Sequence, residues 1–175
     1  ISSRSFGEPV KDFFSLKEAL ASYVTIAAEK LRNQKSVASL AGVFLGTNRF
    51  KNEPQYFNMK TYEFRTPTDY TPDLIKTADY LLKRIFKPGY SYKKAGILLG
   101  GVISNEAVQL NLFSSIEKIQ KKDKVSEVLD RINRKWGRDT LKVASSGIKQ
   151  PWKMKRELLS PRYTTNWNEI LLIKI

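Results

Sequence analysis

Neither cysteine nor histidine occurs anywhere in the 175 residues. Without cysteine there is no disulfide framework, no thiolate zinc site and no Cys nucleophile. Without histidine there is no imidazole metal ligand and no Ser-His or Cys-His nucleophile pair. Long apolar runs are missing too. The longest, Gly96 to Ile103, has the length of a strand and falls far short of the ~18 residues a membrane span needs. The start, Ile1-Ser2-Ser3-Arg4-Ser5, has neither an initiator Met nor a signal-peptide pattern, and a longer parent protein is expected. Acidic residues are in deficit: 17 Asp and Glu stand against 31 Lys and Arg, a net charge of +14. Such a charge draws in a polyanion and speeds encounter with it. Nucleic acid is the first candidate and an anionic membrane surface the second; a solubility role, or an acidic protein partner, is the plainer reading.

The signatures of an active site are also lacking. No glycine-rich phosphate loop precedes a helix, since Gly96, Gly100 and Gly101 have the wrong spacing. No close pair of strand-borne carboxylates is available to hold Mg²⁺. Asp69 and Asp73 flank a predicted helix start, where capping accounts for them.

What is present is enough apolar material for a core, 41 % of residues, arranged as β-α-β-β-α-β. Ser2 to Phe6 gives a weak strand signal. Ser15-Leu16-Lys17-Glu18 reads as a capping box, and Leu16, Leu20, Tyr23, Val24, Ala27, Ala28 and Leu31 recur at helical spacing, predicting a helix over Leu16 to Gln34. Val37 to Thr47 and Tyr56 to Arg65 read as two strands of a hairpin, with Tyr62 and Phe64 on one face. Thr71-Pro72 opens a second helix, Pro88-Gly89 stops it, and Tyr92 to Ile103 is the last strand. The expected class is α+β: a four-stranded sheet with both helices on one face over residues 1–108, and the other face open. Basic and hydroxyl residues at strand ends and in the hairpin loop are the candidates for gripping phosphates there: Ser3, Arg4, Ser5, Arg49, Lys51, Lys60, Arg65, Lys93 and Lys94. Arg4 is the foremost, flanked by the small residues Ser3, Ser5 and Gly7.

Gln109-Leu110-Asn111-Leu112-Phe113 follows, too short for an element of its own. It is either a hydrophobic latch onto its own domain or a linear docking peptide with Leu112 and Phe113 as buried anchors. Residues 114–175 hold 15 basic and 7 acidic residues and all three Trp. They are predicted to form a helix at 121–135, a short strand at Leu141 to Ala144 and otherwise irregular structure. Trp152, Lys153, Lys155, Arg156, Arg162, Tyr163 and Trp167 interleave aromatic and basic side chains. That mixture suits single-stranded nucleic acid or a protein partner; alternatively Trp152, Tyr163 and Trp167 are the buried anchors of a small subdomain.

Four stretches carry a family resemblance: Ser3-Arg4-Ser5-Phe6-Gly7; Ala27-Ala28-Glu29-Lys30-Leu31-Arg32; Gln109 to Phe113; and Trp152-Lys153-Met154-Lys155-Arg156-Glu157 with Leu159 to Trp167. Together they resemble the C-terminal portion of bacterial Y-family translesion DNA polymerases, in the branch of SOS-induced catalytic subunits and their plasmid-borne relatives. The resemblance implies that residues 1–108 are a little-finger domain lying against template-primer DNA, that 109–113 bind the sliding clamp (the beta subunit), and that 114–175 are a basic C-terminal extension. It implies no catalytic residue and no cofactor in this chain, with Mg²⁺ and the nucleotidyl-transfer carboxylates in a palm domain upstream. An accessory-subunit dimer and a recombinase filament would be further partners, in a bacterial cytoplasm and without a membrane. A protein-interaction module for an acidic partner and an RNA-binding domain of ferredoxin-like shape are the competing readings.

Overall fold

The computed structural model describes residues 1–109, 116–154 and 159–170. The chain runs β1 (Ser2–Val10), α1 (Phe13–Asn33), β2 (Ser36–Thr47), β3 (Phe57–Thr68), α2 (Thr71–Ile85), β4 (Tyr92–Ser104) and α3 (Ile116–Trp136). Short 3-10 turns follow β4 at Asn105–Ala107 and lie at Ala144–Ser146 and Trp167–Glu169. The α+β class and the βαββαβ order are those read from the sequence.

Several boundaries move, each for a local reason. The cap of α1 is Asp12, whose carboxylate accepts the Ser15 N–H at 2.7 Å, so the helix starts one turn earlier than a Ser15 capping box requires. Glu18 is thereby released for another partner. The first strand reaches Val10 through an irregularity between Ser5 and Val10. The Lys93 ammonium holds that bulge by donating to the carbonyls of Phe6 at 2.6 Å and Gly7 at 3.3 Å. For α2 the cap position is Tyr70, without a side-chain hydrogen bond, and Thr71 lies inside the helix. The third helix begins at Ile116 rather than 121. Leu141 to Ala144 is not a strand; the chain turns there into the 3-10 segment at Ala144–Ser146.

All strand pairs are antiparallel, in the order β1-β4-β2-β3. Side-chain alternation then sorts the sheet into two faces. Val43 opposite Ile97 and Leu45 opposite Ala95 point to the helices, where they share one core with Leu16, Leu20 and Val24 of α1 and Leu74, Leu81, Leu82 and Ile85 of α2. Residues one step out of phase form the open face.

The segment after β4 does not stand apart from this core. Trp152 is only 4 % exposed and belongs to the same cluster. Its ring meets Phe6 and Tyr23 edge-on, with centroids 6.4 and 5.8 Å away. Its indole N–H donates to Glu18 Oε1 at 2.8 Å, and its carbonyl accepts the Gly7 N–H at 3.2 Å. Gly147, at φ 68°, passes so close that a Cβ there would overlap the Glu18 carboxylate. A second tie joins α3 to the end of α1: Arg32 makes a two-toothed pair with Asp130, Nε to Oδ2 at 2.6 Å and Nη2 to Oδ1 at 2.8 Å, while its Nη1 donates to the Asp69 carbonyl and the Thr71 hydroxyl. Lys122 reaches Asp73 at 2.7 Å on the same side.

Candidate nucleic-acid interface

The open face is built from the pairing of the two central strands. Leu40 lies opposite Gly100, Gly42 opposite Leu98, Phe44 opposite Gly96 and Gly46 opposite Lys94. Every such pair matches a glycine with a larger side chain. The space over each glycine is filled by a larger side chain: Phe44 covers Gly96 and Leu40 covers Gly100, while Met59 and Thr61 of β3 cover Gly42 and Phe57 of β3 covers Gly46. At Gly96 the fit is closest: a Cβ would stand 2.5 Å from the tip of the Phe44 ring and would run into Ser3. Phe57, 66 % exposed, extends this surface on β3, with its ring centroid 6.3 Å from that of Phe44.

Of the phosphate-contact candidates, three meet on this face. Ser3 pairs with Gly96 and Ser5 with Lys94, and the Lys94 ammonium sits 6.0 Å from the Phe44 ring centroid. Arg49 and Lys51 lie exposed in the β2–β3 loop, at the end of the sheet where β4 enters with Lys94. That loop is fixed by Gln55, whose amide donates to the carbonyls of Asn48, Lys51 and Glu53. Lys51 also approaches Glu53 at 3.7 Å. At the loop's tip Phe50 is 98 % exposed between these two cations.

The remaining candidates are elsewhere. Arg4 pairs with Ala95, a core-facing residue, so it points to the helix side of edge strand β1 and lines a cleft with Tyr23 and Trp152. Lys60 pairs with Val43 and also lies on the helix side, exposed along the other edge strand, β3. Tyr62, two residues on, confirms that orientation by meeting Tyr80 of α2. Arg65 is exposed in the irregular stretch of β3 between Glu63 and Thr68. Lys93 is committed to the bulge carbonyls.

Beyond the sheet, Gln109 is exposed where the chain leaves the domain; Leu110, Asn111, Leu112 and Phe113 lie outside the described residues, as do Lys155 and Arg156. The burial expected of Trp152 is found, whereas Trp167 is 89 % exposed and Tyr163 is also exposed. Those two sit in a local turn closed by Glu169, which accepts the Arg162 N–H at 2.5 Å and the Asn166 amide at 2.8 Å. These bonds hold the Glu169 carboxyl below its usual range. No group of three or more acidic side chains among the described residues could hold a metal ion.

Sequence reasoning missed Phe44, Phe50, Phe57 and the glycine pairing. The signal for part of it was available: period-two alternation separates Arg4 from Ser3 and Ser5.

Residues 1–112 match the profile of the impB/mucB/samB family C-terminal domain. The chain belongs to the impB/mucB/samB family. A second profile, a domain of unknown function, matches residues 123–173. The chain is similar to Protein UmuC of Salmonella typhimurium, 42 % identical over 99 % of this chain and 42 % of the relative. It is similar also to Protein SamB of Salmonella typhimurium, 38 % identical over 100 % and 41 %, and to Protein MucB of Escherichia coli, 35 % identical over 99 % and 41 %. It thus spans about two fifths of the length of these curated relatives. The resemblance drawn from the four sequence stretches is borne out, and it places the glycine-paired face in the impB/mucB/samB C-terminal domain.

Proposed function

We propose that this chain is the DNA-holding and clamp-docking part of an error-prone translesion DNA polymerase. In this reading residues 1–108 act as a little finger, with the open face of the sheet against template-primer DNA. Ser3, Ser5 and Lys94 contact phosphate, and Arg49 and Lys51 extend the contact from the loop. Gln109 to Phe113 would bind the sliding clamp, with Leu112 and Phe113 as the anchors. The nucleotidyl-transfer chemistry and its Mg²⁺ would belong to a palm domain in a longer chain. An accessory-subunit dimer and a recombinase filament would be partners of that whole protein in the bacterial cytoplasm.

The observation that carries this reading is the family match over residues 1–112 with identity sustained across essentially the whole chain. The open face supports it, because the hydroxyls of Ser3 and Ser5 and the Lys94 ammonium meet there, the mixture that grips phosphates. No helix among the described residues is long and apolar enough to cross a membrane.

The deciding experiment is duplex binding by fluorescence anisotropy across a salt series. Affinity should fall steeply between about 50 and about 200 mM salt and depend little on sequence. Binding that is absent, or indifferent to salt, overturns the DNA-holding role. Binding to double-stranded DNA no tighter than to single-stranded RNA would favour the RNA-binding alternative.

A further inference from the structure

A cleft of about 380 Å³ opens on the helix side of β1, between α1 and the chain from Asn133 to Met154. Its size is that of a small-ligand site, and its walls come from both profile-matched regions, so neither alone contains it. Arg4 enters from the edge strand, and Lys142 and Lys153 from the opposite wall. All three are exposed, and none makes an ion pair among the described residues. Two acidic residues also line the cleft: Glu29, approached by Arg138 at 3.9 Å, and Asp139. Ser146 lines the cleft with a buried hydroxyl that has no hydrogen-bond partner, an arrangement that is costly unless something polar arrives to satisfy it. Tyr23, also on the wall, has its ionisation pushed up to about 12 by burial, and so remains a neutral phenol at any ordinary pH.

We propose that this cleft is a second nucleic-acid site, which takes a phosphodiester of a single strand between Arg4, Lys142 and Lys153, with the Ser146 hydroxyl donating to it. Nucleic acid is favoured over other anions by continuity. β1 is an edge strand, with Ser3 and Ser5 on the open face and Arg4 turned to the cleft. A strand that leaves the open face and rounds this edge meets the cleft next. The proposal rests on the reading that the open face holds DNA. It assigns the region of unknown function at residues 123–173 to gripping unpaired template beside the duplex.

The test compares a blunt duplex with the same duplex carrying a single-stranded 5′ overhang, using the full chain and fluorescence anisotropy at ~100 mM salt. The wild type should bind the overhang substrate more tightly. Replacing Lys142→Gln and Lys153→Gln together should remove about tenfold of that affinity and lower the salt slope on the overhang by about 1.4, the value for two lost phosphate contacts on a single strand. Blunt-duplex affinity and the urea midpoint should stay as in wild type. Arg4→Gln and Ser146→Ala should each weaken the overhang substrate further. An overhang that adds nothing in the wild type, or a double variant that binds it as well as wild type, overturns the cleft while leaving the open-face reading intact. Failure of the wild type to bind either DNA overturns both.

Discussion

Trp152 and Trp167 carry the same ring into opposite surroundings. Trp152 fills space against Phe6 and Tyr23 and gives its N–H to Glu18; Trp167 stands in solvent. Trp152→Ala should therefore cost about 3–5 kcal/mol, the range for a buried large aromatic, read as a fall in the urea midpoint. Trp167→Ala should stay within about 0.5 kcal/mol of wild type. Asp69 offers a test of opposite sign. Burial, with Asp123 and Asp130 nearby, raises its carboxyl above the usual value, although Arg32 pulls it down. A carboxyl whose folded pKa exceeds its unfolded pKa binds its proton more readily when folded. Its ionisation thus weakens the fold as pH rises through that window, and the loss is complete above the folded pKa. Asp69→Asn should accordingly be more stable than wild type at pH 7. The advantage should shrink as pH falls into the ordinary carboxylate range, measured by urea titration at several pH values. A constant advantage across that range would show that charge is not the cause.

Among the elements, those with a strong hydrophobic period were legible from sequence: both helices of the first domain, the hairpin strands and β4. What eluded sequence reading was set by contacts distant along the chain. The strand signal of β1 is weak because Gly7 and Pro9 interrupt it, and its continuation depends on Lys93 bonding its carbonyls. The cap at Asp12 and the capping-box pattern at Ser15 to Glu18 compete on local grounds alone; Trp152, far along the chain, occupies Glu18. The candidate interface was half legible. Ser3, Ser5, Lys94, Arg49 and Lys51 converge on the open face or its loop end, while Arg4 and Lys60 turn to the helix side because strand alternation leaves them no choice. The pairing of each glycine with a large neighbour depends on register, which the sequence alone does not state. Gly96→Val should spoil this face: it forces Phe44 and Ser3 apart, and duplex affinity should fall several-fold with the helix-side core retained, as judged by circular dichroism. At the proposed docking peptide, Leu112→Ala with Phe113→Ala should abolish binding to a sliding clamp in surface plasmon resonance and leave duplex affinity unchanged. Equal clamp binding by both proteins would remove the peptide from that role.

For the whole molecule, the net charge of +14 predicts association with any polyanion, and shape must supply the discrimination. The two profile matches, 1–112 and 123–173, suggest a seam between two units, but the physical core crosses it. A chain ended at residue 108 should lose Trp152 and the Arg32 tie to Asp130, and melt at a lower temperature than the full chain. An equal melting temperature would mean that the two parts are stable separately. The contact of Gly147 and Trp152 with Glu18 carries a consequence for exchange between relatives. A chimera that joins the first region of one family member to the second region of another inherits only half of this lock. It should fold well only when the donor brings a residue without a side chain beside Glu18 and an indole to bond it. The pairing of Glu18 with Gly147 and Trp152 is thus a compatibility requirement between the two profile-matched regions.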